Sequence, residues 1–194
     1  MFKIFQFLFV LSVLNCALAL RSSGRCPSIK IPSKFNHRWF AGKTWYEYKR
    51  SGEPEWEVDT TCNKLYYNGP FSPKQSKMIF SKPDGFNGLA ELFIKENKKT
   101  AGRNDGKMTW ELHSMVEDTS VTENVRVLAT DYYSYFLLWS CYDYGWYHEE
   151  WATIWTGFKG GNSAIDEKIK PALQMIDPEH KFKAVNQTNC HDYM

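Results

Sequence analysis

The sequence predicts an all-β protein, in which eight antiparallel strands wind into an up-and-down barrel and one C-terminal α-helix packs outside it. Three observations predict this. Aromatic residues make up 16% of the chain and fall largely in segments whose apolar positions alternate or nearly alternate, the pattern of strands. Turn signals punctuate those segments, and after the last of them the apolar period lengthens from two residues to nearly four, as in a helix.

The strand segments run, in order, over 43–50, 58–67, 76–81, 88–96, 107–115, 124–130, 135–142 and 147–156. Between them stand Gly69-Pro70, Pro83-Asp84-Gly85 and Asn104-Asp105-Gly106, and Gly160-Gly161-Asn162 follows the last. Short connections favour a meander, and a meander removes its exposed edges by closing into a barrel. A two-sheet sandwich is the alternative. Ile165, Ile169, Leu173 and Ile176 then mark one face of a helix over 163–176, with Ser163 as its N-cap and Pro171 loosening its middle. An extended tail over 181–185 leads to Cys190.

The opening residues Met1, Phe2 and Lys3, the apolar run from Ile4 to Leu14 and the small-residue pattern Ala17-Leu18-Ala19 have the form of a secretory signal. Cleavage after Ala19 would leave residues 20–194 as a single domain. The apolar run is interrupted by Gln6 and Asn15, short of the roughly 20 residues a membrane helix needs, so stable membrane insertion is not expected. The formal net charge is +2, with no long basic run, which argues against a nucleic-acid partner. Of 5 cysteines, Cys16 lies in the signal, leaving Cys26, Cys62, Cys141 and Cys190. An even number in an exported chain implies two disulfides. Spacing does not choose among the three pairings, and the four are too scattered for a zinc site.

Two segments carry a family resemblance. Phe40-Ala41-Gly42-Lys43-Thr44-Trp45 resembles the glycine and tryptophan that open the first strand of lipocalins, and Thr130-Asp131-Tyr132-Tyr133-Ser134-Tyr135 is similar to their T-D-Y-x-x-Y turn. With the ordered cysteines, the chain resembles lipocalins of the arthropod pigment-carrier (crustacyanin and insecticyanin) and apolipoprotein D groups. The resemblance implies disulfides Cys26–Cys141 and Cys62–Cys190, and a cavity inside the barrel where alternation alone would favour a packed core. Two departures stand out. Lys43 and Thr44 separate Gly42 from Trp45 where the family has one residue, implying either a bulge or a lost glycine role. Where the family places an arginine over the tryptophan, this chain has Gly157, and Lys159 is the nearby cation.

The expected function is a secreted carrier of a small hydrophobic molecule, a chromophore or lipid with no cofactor required; a homo-oligomer or a receptor partner stays open. Parity and the motifs point Trp45 to the floor of the pocket. Leu65 and Tyr67 line it from the second strand, and Met108, Trp110 and Leu112 from the fifth. Phe136, Leu138, Trp151 and Trp155 complete the wall. Arg126 and Leu128 share parity with Thr130; if that set faces inward, Arg126 must meet water, a carboxylate such as Glu111, or an anionic head group on the ligand. If Val125, Val127 and Ala129 face inward instead, Arg126 is solvated. No nucleophile with its base, H-E-x-x-H or phosphate loop is present, and the lipocalin-like isomerases use a free interior cysteine that this chain does not have to spare. Tyr147-His148-Glu149-Glu150 is the densest polar cluster and is expected as a solvated rim rather than a metal site. An interaction protein or inhibitor acting through its loops is the second functional class, and an enzyme on the same barrel the third. Asn186-Gln187-Thr188 is an N-glycosylation acceptor.

Overall fold

The computed structural model describes residues 20–29, 35–36, 42–52, 60–67, 77–81, 87–96, 106–114, 119–176 and 180–190, with the backbone alone at 20, 77–81 and 87–96. The expected signal segment and the turns at 69–70 and 83–85 lie outside the described residues. The strands are β1 (Leu20–Ser23), β2 (Lys43–Ser51), β3 (Thr61–Tyr67), β4 (Lys77–Ser81) and β5 (Asn87–Glu96), then β6 (Lys107–Ser114), β7 (Ser120–Thr130), β8 (Tyr135–Asp143) and β9 (Tyr147–Thr156). Helix α1 (Ser163–Leu173) and a two-residue β10 (Lys183–Ala184) follow.

Strands β2 to β9 are the eight expected, each paired antiparallel with the next. β9 also pairs with β2, from Tyr46↔Thr156 to Ser51↔Ala152. That pairing makes the sheet a barrel and disposes of the sandwich. Beyond it, residues 147–150 of β9 take up β1 instead, and β10 pairs with Arg50 and Lys49 of β2. Both additions are short and largely polar; β10 falls within the extended tail expected over 181–185, while no apolar period announces β1.

Closure gives the strands an inside and an outside. Trp45, Leu65, Met108, Trp110, Val125, Phe136 and Trp155 belong to the cluster filling the inside. Leu128, Leu137, Trp139, Ala152 and Ile154 belong to a second cluster outside, with Ile165, Ile169, Ala172 and Ile176 of α1 and the residues after it. β8 is therefore buried on both faces from Tyr135 to Ser140, which is why aromatics on both parities left its sequence ambiguous.

Helix α1 starts one residue earlier in its capping than expected. Asn162, in extended conformation, accepts a hydrogen bond from Ile165 N at 3.1 Å through Oδ1, so the N-cap is Asn162 and not Ser163. Pro171 sits in the last turn rather than the middle. Its missing N–H costs the helix one bond near its end, and the helix stops at Leu173 instead of Ile176. Lys49 Nζ reaches both oxygens of Asp166 at 2.8 and 2.9 Å, and the Tyr48 hydroxyl donates to the same carboxylate at 3.2 Å, tying the first turn to β2.

Two disulfides pin the ends. Cys26–Cys141 joins the N-terminal segment to β8 and Cys62–Cys190 joins β3 to the C-terminal tail, at sequence separations of 115 and 128. In the chain-entropy model each such loop stabilises the fold by up to about 5 kcal/mol. Among the described residues no helix is long and apolar enough to cross a membrane.

The capping assignment is directly testable. Asn162→Ala should cost about 1 kcal/mol in urea unfolding, while Ser163→Ala should stay within about 0.5 kcal/mol of the parent; the reverse order would restore Ser163 as the cap.

Candidate functional site

The candidate site is the barrel interior, and its two ends differ. At one end, Lys43 pairs with Tyr67 and the T-D-Y turn joins β7 to β8. Here Trp45 meets Phe136 edge-on at 4.9 Å, and Phe136 stacks on Trp155 at 6.0 Å. Phe35, from the segment before β2, is buried in the same cluster and lies 5.8 Å from the Tyr132 ring. These aromatics form a floor. The other end, where β8 turns into β9, is the mouth.

The T-D-Y turn holds the floor through its side chains. Thr130 Oγ1 accepts from Tyr132 N and donates to Tyr135 O, both at 2.8 Å. Asp131 Oδ1 accepts the backbone N–H groups of Tyr133, Ser134 and Tyr135 at 3.1, 2.7 and 3.2 Å, and the Ser134 hydroxyl donates to Oδ2. Burial raises the Asp131 carboxyl, but the bonds from Ser134, Tyr133 and Tyr135 outweigh it and hold the group well below the ordinary carboxylate range. Tyr132 takes a positive φ of 65° inside this network.

Both departures from the lipocalin pattern resolve at this floor. Gly42 has φ 71° and donates from its N–H to Tyr67 O at 2.8 Å, so the turn role of the glycine is kept and the extra residue enters the strand. That strand start supplies the cation. Lys43 Nζ lies 5.9 Å from the Trp45 ring centroid and 4.6 Å from that of Tyr133, and donates to Tyr132 O at 3.0 Å. Lys159 sits over Tyr46 instead. A Cβ at Gly157 would fall 2.8 Å from Tyr133 O, so the backbone of the T-D-Y turn occupies the space an arginine there would need.

Of the residues expected at the pocket, all but two lie in the interior cluster. The exceptions are Arg126 and Leu128. Leu128 packs in the outer cluster, and the Arg126 guanidinium lies 5.1 Å from the centroid of Trp139, also an outer residue. Val125 and Val127 take the inward positions. The expectation of an anion-receiving Arg126 at the mouth is thereby corrected: cation and ring face each other on the outside of β7 and β8.

The interior also holds polar groups that sequence reasoning missed. The register of β2 shifts between Glu47 and Lys49, so Tyr48 and Lys49 both point out to Asp166 and Arg50 turns inward, opposite Thr153. Arg50 Nε and Nη2 donate to the two oxygens of Glu47 at 3.0 and 2.5 Å, and Nη1 to Thr60 at 3.0 Å. Asn63 Nδ2 reaches Glu47 at 2.6 Å and Thr60 at 3.0 Å. The ion pair is fully buried, at 3% and 0% side-chain exposure. On the opposite wall Glu123 is buried and accepts from the Tyr142 hydroxyl. Burial, the hydrogen bond to Glu123 and its negative charge push the Tyr142 hydroxyl far above its usual range.

The expected solvated rim at 147–150 is corrected too. His148 and Glu150 are buried on the outer face of β9. Glu150 lies 2.8 Å from His148 Nε2 and 3.1 Å from His180 Nε2, and accepts from Trp139 Nε1 at 2.7 Å. Burial raises the Glu150 carboxyl, yet the bonds from His180, Trp139 and His148 bring it below its ordinary value. Cys141, His148 and Glu150 place ligand atoms within 4.8 Å of one another, but the Cys141 sulfur is committed to its disulfide.

No family model matches the chain, and no curated protein sequence matches it. Solved structures do. Lobster apocrustacyanin A1 is 20% identical with a TM-score of 0.67, covering 86% of this chain and 91% of its own. Insecticyanin from the tobacco hornworm Manduca sexta is 22% identical with a TM-score of 0.67, covering 87% and 89%. A variant of LTBP1 in complex with leukotriene C4 is 19% identical with a TM-score of 0.52, covering 81% and 90%. At these identities the likeness establishes the fold: the chain is a lipocalin-type barrel resembling crustacyanin and insecticyanin.

The floor geometry predicts that Gly157→Arg, which would reinstate the family arginine, destabilises the barrel by about 1–3 kcal/mol in denaturant unfolding through the clash with Tyr133 O; a neutral or stabilising result would show that the turn can yield.

Proposed function

We propose that the chain is a secreted carrier that encloses a small hydrophobic molecule, a chromophore or lipid, within the barrel, the signal over 1–19 being removed and 20–194 folding as one domain. One observation carries the reading. The chain has two separate apolar clusters, and the outer one, sealed by α1, supplies a core of the ordinary kind, while the inner one gathers aromatic and aliphatic side chains inside a closed eight-stranded sheet, an interior of the size that holds one small ligand. The two long-range disulfides support both an extracellular setting and a barrel that does not need its interior for stability. The LTBP1 variant, of similar fold, is seen with leukotriene C4.

Carriage without covalent chemistry fits the placement of the reactive side chains. His148 and His180 are engaged with Glu150 on the outer face, away from the enclosed space, and all four described cysteines are in disulfides. A second reading, contact with a protein partner, is favoured by the β8–β9 turn, where Trp146 is 79% and Tyr144 49% exposed. Asn186 is exposed, with Oδ1 accepting from Thr188 N and Oγ1 at 2.9 and 2.7 Å, and is proposed as a glycan acceptor.

Native mass spectrometry of protein taken from its source should show an added mass of a few hundred daltons that organic solvent releases, and, at the peptide level, a glycan on Asn186. Protein that carries no extractable molecule, and whose tryptophan fluorescence is unmoved by any lipid or pigment offered, would overturn the carrier reading and leave the partner-binding one.

A further inference from the structure

Above the floor, four consecutive strands carry polar atoms at nearly one level of the interior: Trp110 on β6, Glu123 on β7, Tyr142 on β8 and Trp151 on β9. Trp110 and Glu123 are direct cross-strand partners. Val125 faces Ser140, which sets Glu123 level with Tyr142, and the Tyr142 hydroxyl donates to the Glu123 carboxylate. Ser140 is in turn opposite Trp151, one rung nearer the floor. Trp110, Glu123 and Trp151 are each at least 97% buried, and Tyr142 packs against the interior cluster.

The indole N–H groups of Trp110 and Trp151 are buried and, among the described residues, meet no hydrogen-bond acceptor. A buried donor without an acceptor is costly, so two of them on one wall state what an occupant must bring, which is oxygen. Between them lies a carboxylate. Its partner Tyr142 stays protonated because burial and the Glu123 charge hold its hydroxyl far above the ordinary range, so it serves Glu123 as a donor. Among the described residues the strand arginines are directed elsewhere: Arg21 to Glu149, Arg50 to Glu47 and Thr60, and Arg126 to the outer ring of Trp139.

Resting on the carrier reading above, we propose that this girdle selects neutral, oxygen-bearing hydrophobes, of the alcohol or ketone class, and discriminates against carboxylic acids. A hydroxyl or carbonyl oxygen accepts from the indole N–H groups, and a hydroxyl can also donate to Glu123. A ligand carboxylate would satisfy the indoles equally well but would stand beside the Glu123 charge in a low-dielectric enclosure, where like charges repel strongly.

The test displaces the neutral fluorescent probe N-phenyl-naphthylamine from the full disulfide-bonded protein at neutral pH, using myristyl alcohol and myristic acid in parallel. The parent should bind the alcohol about tenfold more tightly than the acid. Glu123→Gln, which keeps the shape and an acceptor for Tyr142, should bring the two within about threefold by strengthening the acid. Trp110→Phe and Trp151→Phe should each weaken the alcohol about fivefold more than they weaken the probe, which carries no oxygen for the indole N–H groups. A parent that binds the acid as well as the alcohol overturns the inference and leaves the carrier reading intact, since both lipids then displace the probe. A preference for the alcohol that survives all three substitutions also overturns it. If probe, alcohol and acid all fail to bind, the carrier reading falls and takes this inference with it.

Discussion

The pairing of β9 with β2, from Tyr46↔Thr156 to Ser51↔Ala152, closes the sheet, and the division of the molecule into an inside and an outside depends on it. An open sheet of the same strands would leave Trp45, Phe136 and Trp155 exposed at its ends, whereas in the closed one they stack as a floor. The same closure leaves the outer faces of β7 to β9 needing cover, because Leu137, Trp139 and Ile154 are as apolar as the inner residues. Helix α1 supplies it with Ile165, Ile169 and Ala172. With that cover in place, both faces of this part of the sheet are apolar and buried.

The ends of the chain reinforce the closure from outside. The C-terminal tail lies across β2 and β3: Gln187 Nε2 donates to the carbonyls of Glu47 and Asn63 at 3.0 and 3.2 Å, and Cys62 N donates to Asn186 O at 2.9 Å beside the Cys62–Cys190 disulfide. His180 from the tail and Gly24 from the N-terminal segment meet at one buried patch, the first on Glu150 and Ser51 and the second on His148. At the floor, the Lys43 ammonium reaches both Trp45 and the carbonyl of Tyr132. Moving the cation from the end of β9 to the start of β2 keeps a charge over the tryptophan ring while Gly157 lets the T-D-Y turn approach.

Much of this was legible in the sequence because a strand writes its two faces with a period of two. Met108, Trp110 and Leu112 against Thr109, Glu111 and His113 is such a case, and β6 is buried in that alternation. Where the reading failed, a register shift or a distant segment was responsible. The shift in β2 at Glu47 and Lys49 reverses the parity of Arg50, so an alternation counted from Trp45 puts it outside and misses the buried pair with Glu47. Counting back from Thr130 puts Leu128 and Arg126 inside, but the register shift between Val127 and Ala129 reverses that parity. The local sequence at 147–150 suggests a rim because the cover of His148 and Glu150, Gly24 and His180, comes from the two ends of the chain. The caps and bulges that set such details are local geometry, while the cysteine pairing and the floor are what the resemblance to lipocalins implies.

Carriage in the interior has one most direct measurement: the indole N–H resonances of the protein, followed by NMR as myristyl alcohol is added. The account predicts that the signals of Trp45, Trp110, Trp151 and Trp155, all in the inner cluster, move or broaden together, while that of Trp146, exposed at the mouth turn, and that of Trp139, held by Glu150 on the outer face, stay in place. Movement confined to Trp146 or Trp139, with the inner four unchanged, would contradict it and place the binding surface outside the barrel.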